Sequence, residues 1–313
     1  QRLDDILHLA RNNGYSDVHL GGENHIMMRN NGILFPYEHS YTTEDVVEMI
    51  LSMLDENQKE RLNAGKDIDL VYVENINRYR VNVYKERGQL CAALRVIYER
   101  IRSLEELQLP PILNKLTKDN RGLVLLTGPT GSGKSTTLAA MINEINHHRK
   151  CHILTIEDPI EYVYRQDLAL IHQREVEFDV ESFDTALKSA LREDPDVILV
   201  GEMRDYETIQ AVMTLAETGH LVFSTLHTIG AAKTIDRIVD VFPPHKQEQI
   251  RTQLSGVLNA VVTQQLIPTA DGKSRVAALE VMLATPAVAN LIRENKGHQI
   301  NSMIQTGSQF GMQ

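Results

Sequence analysis

The apolar positions of this chain follow two different patterns, and the change between them lies near residue 120. Ahead of it, Leu3, Ile6, Leu7 and Ala10 recur at the spacing of one helix face, and the stretch 46–54 (VVEMILSML) reads the same way. Three extended stretches follow at 67–73 (DIDLVYV), 78–84 (RYRVNVY) and 89–97 (QLCAALRVI). Strands in succession, without intervening helices, predict a small α+β domain with a mainly antiparallel sheet. The pair Pro110–Pro111 then interrupts. The pattern divides the chain into a first domain at 1–100, a linker at 101–120 and a second domain at 121–313.

From residue 121 strands alternate with helices. The apolar run 121–127 (RGLVLLT) precedes a helical segment at 135–148, in which Leu138, Met141, Ile142 and Ile145 share a face. The extended stretch 152–158 (HILTIED) precedes 181–194, where Phe183, Ala186, Leu187, Ala190 and Leu191 align. Val197–Val200, a helical stretch at 204–218 and the run 221–226 (LVFSTL) complete the series. Such alternation predicts an α/β domain with a mostly parallel sheet and helices on both faces. Near the end, 264–268 and 274–283 flank an Asp271-Gly272 turn, which predicts a hairpin.

Composition narrows the chemistry. With 42% hydrophobic and 24% charged residues the chain reads as an ordinary globular protein. A formal net charge of −10 argues against broad binding of a nucleic-acid backbone. Cys91 and Cys151 lie far apart with no C-x-x-C pair, which leaves neither a zinc module nor a disulfide framework and suits reduced, cytosolic thiols. No run approaches the roughly 18 apolar residues of a membrane span, and the first residues are too charged for a secretory signal.

The segment 128–135 (GPTGSGKS) satisfies G-x-x-x-x-G-K-[ST] and stands between an apolar strand and a periodic helix, the setting that motif requires. Gly128, Gly131 and Gly133 let backbone N–H groups curl around phosphate oxygens, with Pro129, Thr130, Ser132 and Thr136 filling out the loop. Lys134 supplies a charge for the outer phosphates of ATP, and Ser135 a hydroxyl for Mg²⁺. Hydrolysis also needs a group that orients or deprotonates water. Strand 197–200 ends at Glu202, yet Gly201 stands where an aspartate is common in nucleotide-hydrolysing strands. A second source of acid is 155–162 (TIEDPIEY), with Glu157, Asp158 and Glu161. A third strand begins after His220 and ends at His227, and a histidine there can bond a phosphate or a carboxylate.

In this order, GPTGSGKSTTLAAM, TIEDPIEY, ILVGEMRD and TGHLVFSTLHT resemble the Walker A, Asp box, Walker B and His box of the secretion ATPase superfamily. That family's Walker B places glycine before glutamate, so the resemblance explains Gly201. Stretches 16–20 (SDVHL), 78–82 (RYRVN) and 231–243 (AAKTIDRIVDVFP) resemble its type IV pilus retraction branch. The resemblance implies a PAS-like α+β N-terminal domain followed by a RecA-like P-loop ATPase domain with a C-terminal helical segment. It implies a homo-hexameric ring and ATP hydrolysis with Glu202 as catalytic glutamate and Glu161 as the principal Asp-box acid. It places Arg78 and Arg80, and more weakly Arg95, at nucleotide phosphates; alternating charge on a solvated strand face is the other reading of these arginines. The implied work is pilus retraction (twitching motility) from the cytoplasmic side of the inner membrane, acting on a platform protein and, through it, on pilin. Alternatives within the superfamily are an accessory retraction motor or a related pilus or type II secretion assembly ATPase. Outside it stand a nucleic-acid translocase and a non-hydrolysing nucleotide-binding regulator. The segment 287–294 (AVANLIRE) departs from the branch's AIRNLIRE, with Ala289 where the first arginine stands. It is either a coupling element or a packing helix.

Overall fold

The computed structural model describes residues 2–23, 25–75, 77–97 and 100–313. The chain divides into two compact units, Gln1–Arg100 and Ile101–Gln313.

The first unit is α+β. Six antiparallel strands lie in the order β3-β2-β1-β6-β5-β4: β1 Asp17–Leu20, β2 Ile26–Asn30, β3 Ile33–Pro36, β4 Ile68–Glu74, β5 Asn77–Glu86 and β6 Gln89–Ile97. Helices α1 (Arg2–Asn12), α2 (Thr43–Ser52) and α3 (Glu56–Asn63) accompany the sheet. Both α2 and α3 open with capping boxes, Thr42 with Asp45 and Asp55 with Gln58, which satisfy N–H groups that a helix start leaves unpaired. The stripe Leu3, Ile6, Leu7 and Ala10 is buried with Val46, Met49 and Ile50 against alternate sheet residues such as Val81, Val83, Ala92 and Leu94. Arg80 and Arg95 stand opposite one another on the other sheet face, and Arg95 pairs with Asp17 at 3.2 Å.

The second unit carries seven strands in the order β13-β12-β7-β11-β10-β8-β9, parallel except for the β12–β13 hairpin. They are β7 Gly122–Thr127, β8 His152–Glu157, β9 Leu170–Glu175, β10 Val197–Val200, β11 Leu221–Leu226, β12 Leu258–Pro268 and β13 Arg275–Leu283. Helices α4 Ile112–Leu116, α5 Lys134–His148, α6 Phe183–Ala190, α7 Tyr206–Glu217, α8 Ala231–Asp240, α9 Gln247–Val257, α10 Pro286–Arg293 and α11 Ile300–Thr306 complete it.

The central strands read as unbroken apolar runs because both of their faces are covered. Leu123, Leu125, Ile198, Val200 and Val222 enter one core with α7, α8 and α9. Val124, Leu126, Leu199 and Phe223 enter the other with Leu138, Met141 and Ile142 of α5. The stretch 101–120, expected as a linker, packs with this unit: Leu104, Leu113 and Leu116 are buried in the α5 core. Helix α10 buries Val288 and Ile292, while Arg293 and Glu294 are exposed, and Gln313 exchanges backbone hydrogen bonds with Val281 of β13.

Phe223 is fully buried at the centre of the sheet. Phe223→Ala is expected to lower unfolding free energy by about 3–5 kcal/mol, measured by urea denaturation of the whole chain. A loss under about 1 kcal/mol would mean that this face collapses around the truncation.

Candidate functional site

Loops leaving the carboxyl ends of parallel strands share one edge of a sheet and form a crevice there. In this chain β7, β11, β10 and β8 are parallel neighbours, so the four motifs that follow them converge. Together they line a cleft of about 460 Å³. Thr130 to Thr136 form one wall, Glu157, Asp158, Glu161 and Tyr162 another, and Glu202 and His227 the floor side between them.

The phosphate loop owes its path to its glycines. Gly128, Gly131 and Gly133 have φ of 144°, 79° and 88°, conformations that L side chains rarely adopt. A Cβ at Gly128 would overlap the Gln264 carbonyl oxygen, and one at Gly133 would lie 2.7 Å from Gln264 Nε2. Gly131, by contrast, faces open space. Inside the loop the Ser132 hydroxyl is buried, with no hydrogen-bond partner among the described residues. A ring of backbone donors at the start of α5, a buried hydroxyl and a lysine make a cradle suited to phosphate oxygens.

Lys134 is 8% exposed, and burial pushes its ammonium pKa down against the opposing attraction of Glu202. Its three N–H donors meet three acceptors: the Gly128 carbonyl at 2.6 Å, the Leu226 carbonyl at 3.1 Å and His227 Nδ1 at 3.0 Å. An ammonium can only donate, so Nδ1 accepts and the imidazole proton sits on Nε2. That Nε2–H donates to Glu202 Oε1 at 2.6 Å. The other Glu202 oxygen accepts from Arg204 Nε at 2.6 Å, with Arg204 itself 72% exposed. A continuous chain therefore runs from the phosphate-loop lysine through His227 to the carboxylate at the end of β10.

The loop bearing Glu202 is anchored on every side. Gly201 N–H donates to the Ile156 carbonyl, Met203 N–H to the Thr225 carbonyl, and the Thr225 hydroxyl to the Gly201 carbonyl. Asp205 then caps α7 through Thr208 N–H. Gly201 answers to packing: a Cβ there would stand 3.3 Å from the Ile156 carbonyl and 3.4 Å from Glu157 Cα. An aspartate at 201 would press on the neighbouring strand end, where Glu157 already supplies a carboxylate.

Residues of β9 hold the acidic loop after β8. Gln173 Nε2 donates to the Tyr162 carbonyl at 2.7 Å and to Glu157 Oε2 at 3.3 Å, and its carbonyl accepts from Tyr164 N–H. The buried Glu175 accepts from Ile160 N–H at 2.9 Å. The Thr155 hydroxyl bonds Glu157 at 2.7 Å, and the Thr136 and Tyr162 hydroxyls share a hydrogen bond of 3.0 Å, tying this wall to the phosphate loop. Burial raises the Tyr164 phenol well above its ordinary pKa.

The cleft thus brings together Thr130 through Thr136, Glu157, Asp158, Glu161, Glu202 and His227, while Gly128 takes part through its carbonyl. Glu161 is exposed on its rim. His220 lies at the opposite end of β11, where Nδ1 meets the Leu215 carbonyl at 2.9 Å and steadies the turn out of α7. Arg78 and Arg80 belong to β5 of the first unit, Arg78 buried and Arg80 exposed. Gln173, Glu175, Thr137 and Gln264 escaped the sequence reading. Strand β9 carries Gln173 and Glu175 at inward positions, which hides the alternation that marks a strand, and Thr137 of α5 meets Gln264 of β12 only through the fold. Ser135, Glu157, Asp158, Glu161 and Glu202 bring oxygen donors to the cleft, a donor chemistry that fits Mg²⁺. Among the described residues no cluster of three or more His, Cys, Asp or Glu could hold a metal alone.

The chain belongs to the type II/IV secretion system protein family, whose profile matches residues 1–309. It is 54% identical to a twitching motility protein of Neisseria gonorrhoeae over 273 residues, 87% of this chain and 73% of that one. To the type IV pilus retraction ATPase PilT of Pseudomonas aeruginosa it is 46% identical over 317 aligned positions, covering 99% and 91% of the two chains. Its fold is similar to that of the crystal structure of the pilus retraction motor PilT with bound ADP. That match has a TM-score of 0.87 at 44% identity and covers 96% of this chain and 88% of the other.

The glycines of the loop separate strain from collision. Gly131→Ala is expected to destabilise the chain by about 1–2 kcal/mol, the cost of a left-handed residue with room for its methyl group. Gly128→Ala should cost more, because backbone must move to admit the Cβ. Thermal unfolding of both variants measures the order, and equal losses would contradict the packing described.

Proposed function

We propose that the chain is the subunit of a ring-forming ATPase motor that hydrolyses ATP to power type IV pilus retraction. The observation that carries this reading is the bonded chain Lys134–His227–Glu202, which joins the buried lysine of the glycine-rich loop to the carboxylate that follows β10. The family membership and the similarity to retraction motors support the same reading. On this account residues 1–100 form a PAS-like domain and 121–313 the RecA-like ATPase domain, joined through 101–120. ATP is the substrate and Mg²⁺ the cofactor. When bound beside Ser135, Mg²⁺ neutralises charge on the outer phosphates.

The chain's own groups then divide the work. The phosphate loop from Gly128 to Thr136 binds and orients the triphosphate through backbone donors, and Lys134 places its charge by the outer phosphates. Glu202 orients the attacking water and takes its proton, with Glu161 as a supporting acid. His227, already bonded to both Lys134 and Glu202, registers the phosphate through the first and adjusts the second. Arg78 and Arg80 are assigned to phosphate contacts completed when copies assemble into a homo-hexamer. The motor works at the cytoplasmic side of the inner membrane, turning a platform protein and so withdrawing pilin. Among the described residues no helix is long and apolar enough to cross a membrane, which suits a peripheral attachment.

Glu202→Gln keeps shape and removes charge. ATP turnover is expected to fall about 10²-fold or more while nucleotide binding persists; Lys134→Ala should lose binding itself. In cells that lack this protein, surface pili should no longer retract, and the wild-type chain but not Glu202→Gln should restore retraction. Wild-type turnover by Glu202→Gln would move the water-activating role elsewhere, and retraction in its absence would end the proposed work.

Assembly supplies a second check. An arginine delivered by a neighbouring copy can raise phosphoryl transfer about 10³-fold. Activity per subunit should climb with protein concentration as rings form, and Arg78→Ala or Arg80→Ala should flatten that rise. Equal activity from verified monomers and rings would contradict the assignment.

A further inference from the structure

Gln264 touches the phosphate loop from outside the motif. It is 3% exposed and stands on β12 one residue past the last pair in register with β7, Thr263 opposite Thr127. Those two threonines share a hydrogen bond of 2.8 Å, so the strands are joined just where β7 ends and the loop swings away at Gly128. Three contacts follow within one residue. The Gln264 backbone carbonyl fills the space a Gly128 side chain would need. Its side-chain Nε2 lies 2.7 Å from where a Gly133 Cβ would be. Its Oε1 accepts from the Thr137 hydroxyl at 2.6 Å, and Thr137, itself 1% exposed, donates its N–H to the Gly133 carbonyl.

The side-chain amide is thereby held at one end by the first turn of α5 and at the other against the glycine that precedes Lys134. Glycine has no side chain with which to set its own distance from β12, so the Gln264 amide sets it. A shift of the loop by a fraction of an ångström would spread the backbone donors that converge on a phosphate.

We propose that Gln264, through Thr137, is a positioning residue for the phosphate loop: it fixes the height of Gly133 and Lys134 over the sheet and so sets affinity for the nucleotide's phosphates. This rests on the nucleotide-site reading given above. It contacts the loop, not the reacting atoms, so its effect falls on binding common to ground and transition states. That places it in KM more than in kcat.

The test compares Thr137→Val, Gln264→Leu, the double variant and Thr137→Ser with the wild-type chain. Each assay follows thermal unfolding with and without Mg²⁺-ATP, together with steady-state ATP turnover. The single apolar changes leave a buried polar partner unpaired and should lower the melting temperature; the double variant removes both and should recover it. Positioning predicts that the recovered double variant still shows a KM for ATP raised roughly tenfold, with kcat within about threefold of wild type. Thr137→Ser, which keeps the hydroxyl, should keep the wild-type KM. A double variant with both wild-type stability and wild-type KM would reduce Gln264 to packing and overturn the proposal, as would a Thr137→Ser KM raised as far as that of Thr137→Val. A wild-type chain that Mg²⁺-ATP does not stabilise would overturn the nucleotide-site reading itself, and this one with it.

Discussion

The ammonium of a buried lysine must find acceptors for its N–H bonds, and that of Lys134 finds them on two neighbouring strand ends and one imidazole. That requirement arranges much of the site. The carbonyls of Gly128 and Leu226 are available only because β7 and β11 run parallel in register, Thr127 beside Leu226. The imidazole is available only because the chain leaves β11 at His227. Once Nδ1 accepts from the lysine, the ring proton lies on Nε2, and Glu202 accepts the hydrogen bond that this N–H donates. Satisfying one buried cation therefore links the phosphate loop to the carboxylate that faces it.

The same sheet geometry explains why the acids are distributed over two strands. At Gly201 the end of β10 lies so close to β8 that a side chain would press on the Ile156 carbonyl and Glu157. The carboxylates stand instead one residue on, at Glu202, and one strand over, at Glu157, with Glu161 on the rim. The second wall depends in turn on β9, whose Gln173 and Glu175 spend their polar groups on the backbone of the acidic loop. The site is thus supported from both edges of the parallel sheet, by β9 on one side and by β12 on the other.

Much of this was legible in the sequence, and the reasons are specific. The loop 128–136 takes its path from glycines close together in the chain, so that path is written in nearby residues, between an apolar strand and a periodic helix. The strands β7, β10 and β11 announced themselves because both faces are buried. The α+β character of the first unit was likewise readable from β4, β5 and β6. Its strand β3 was not, since Ile33 and Leu34 are both exposed and no alternation survives. Strand β9 was missed because its inward positions include Gln173 and Glu175. The bond between Thr137 and Gln264 joins residues 127 positions apart, a pairing that only the parallel register of β12 with β7 creates. The stretch 101–120 looked like a linker for its prolines, yet Leu104, Leu113 and Leu116 give it a core to join.

If the cleft is a hydrolytic site and not merely a nucleotide pocket, one measurement addresses it directly. Purified wild-type chain, at a concentration where rings form, is mixed with excess Mg²⁺-ATP, and free inorganic phosphate is followed continuously. The account predicts steady release over many turnovers per chain, stopping when the divalent cation is chelated. Binding of Mg²⁺-ATP without phosphate release beyond the uncatalysed background would contradict it.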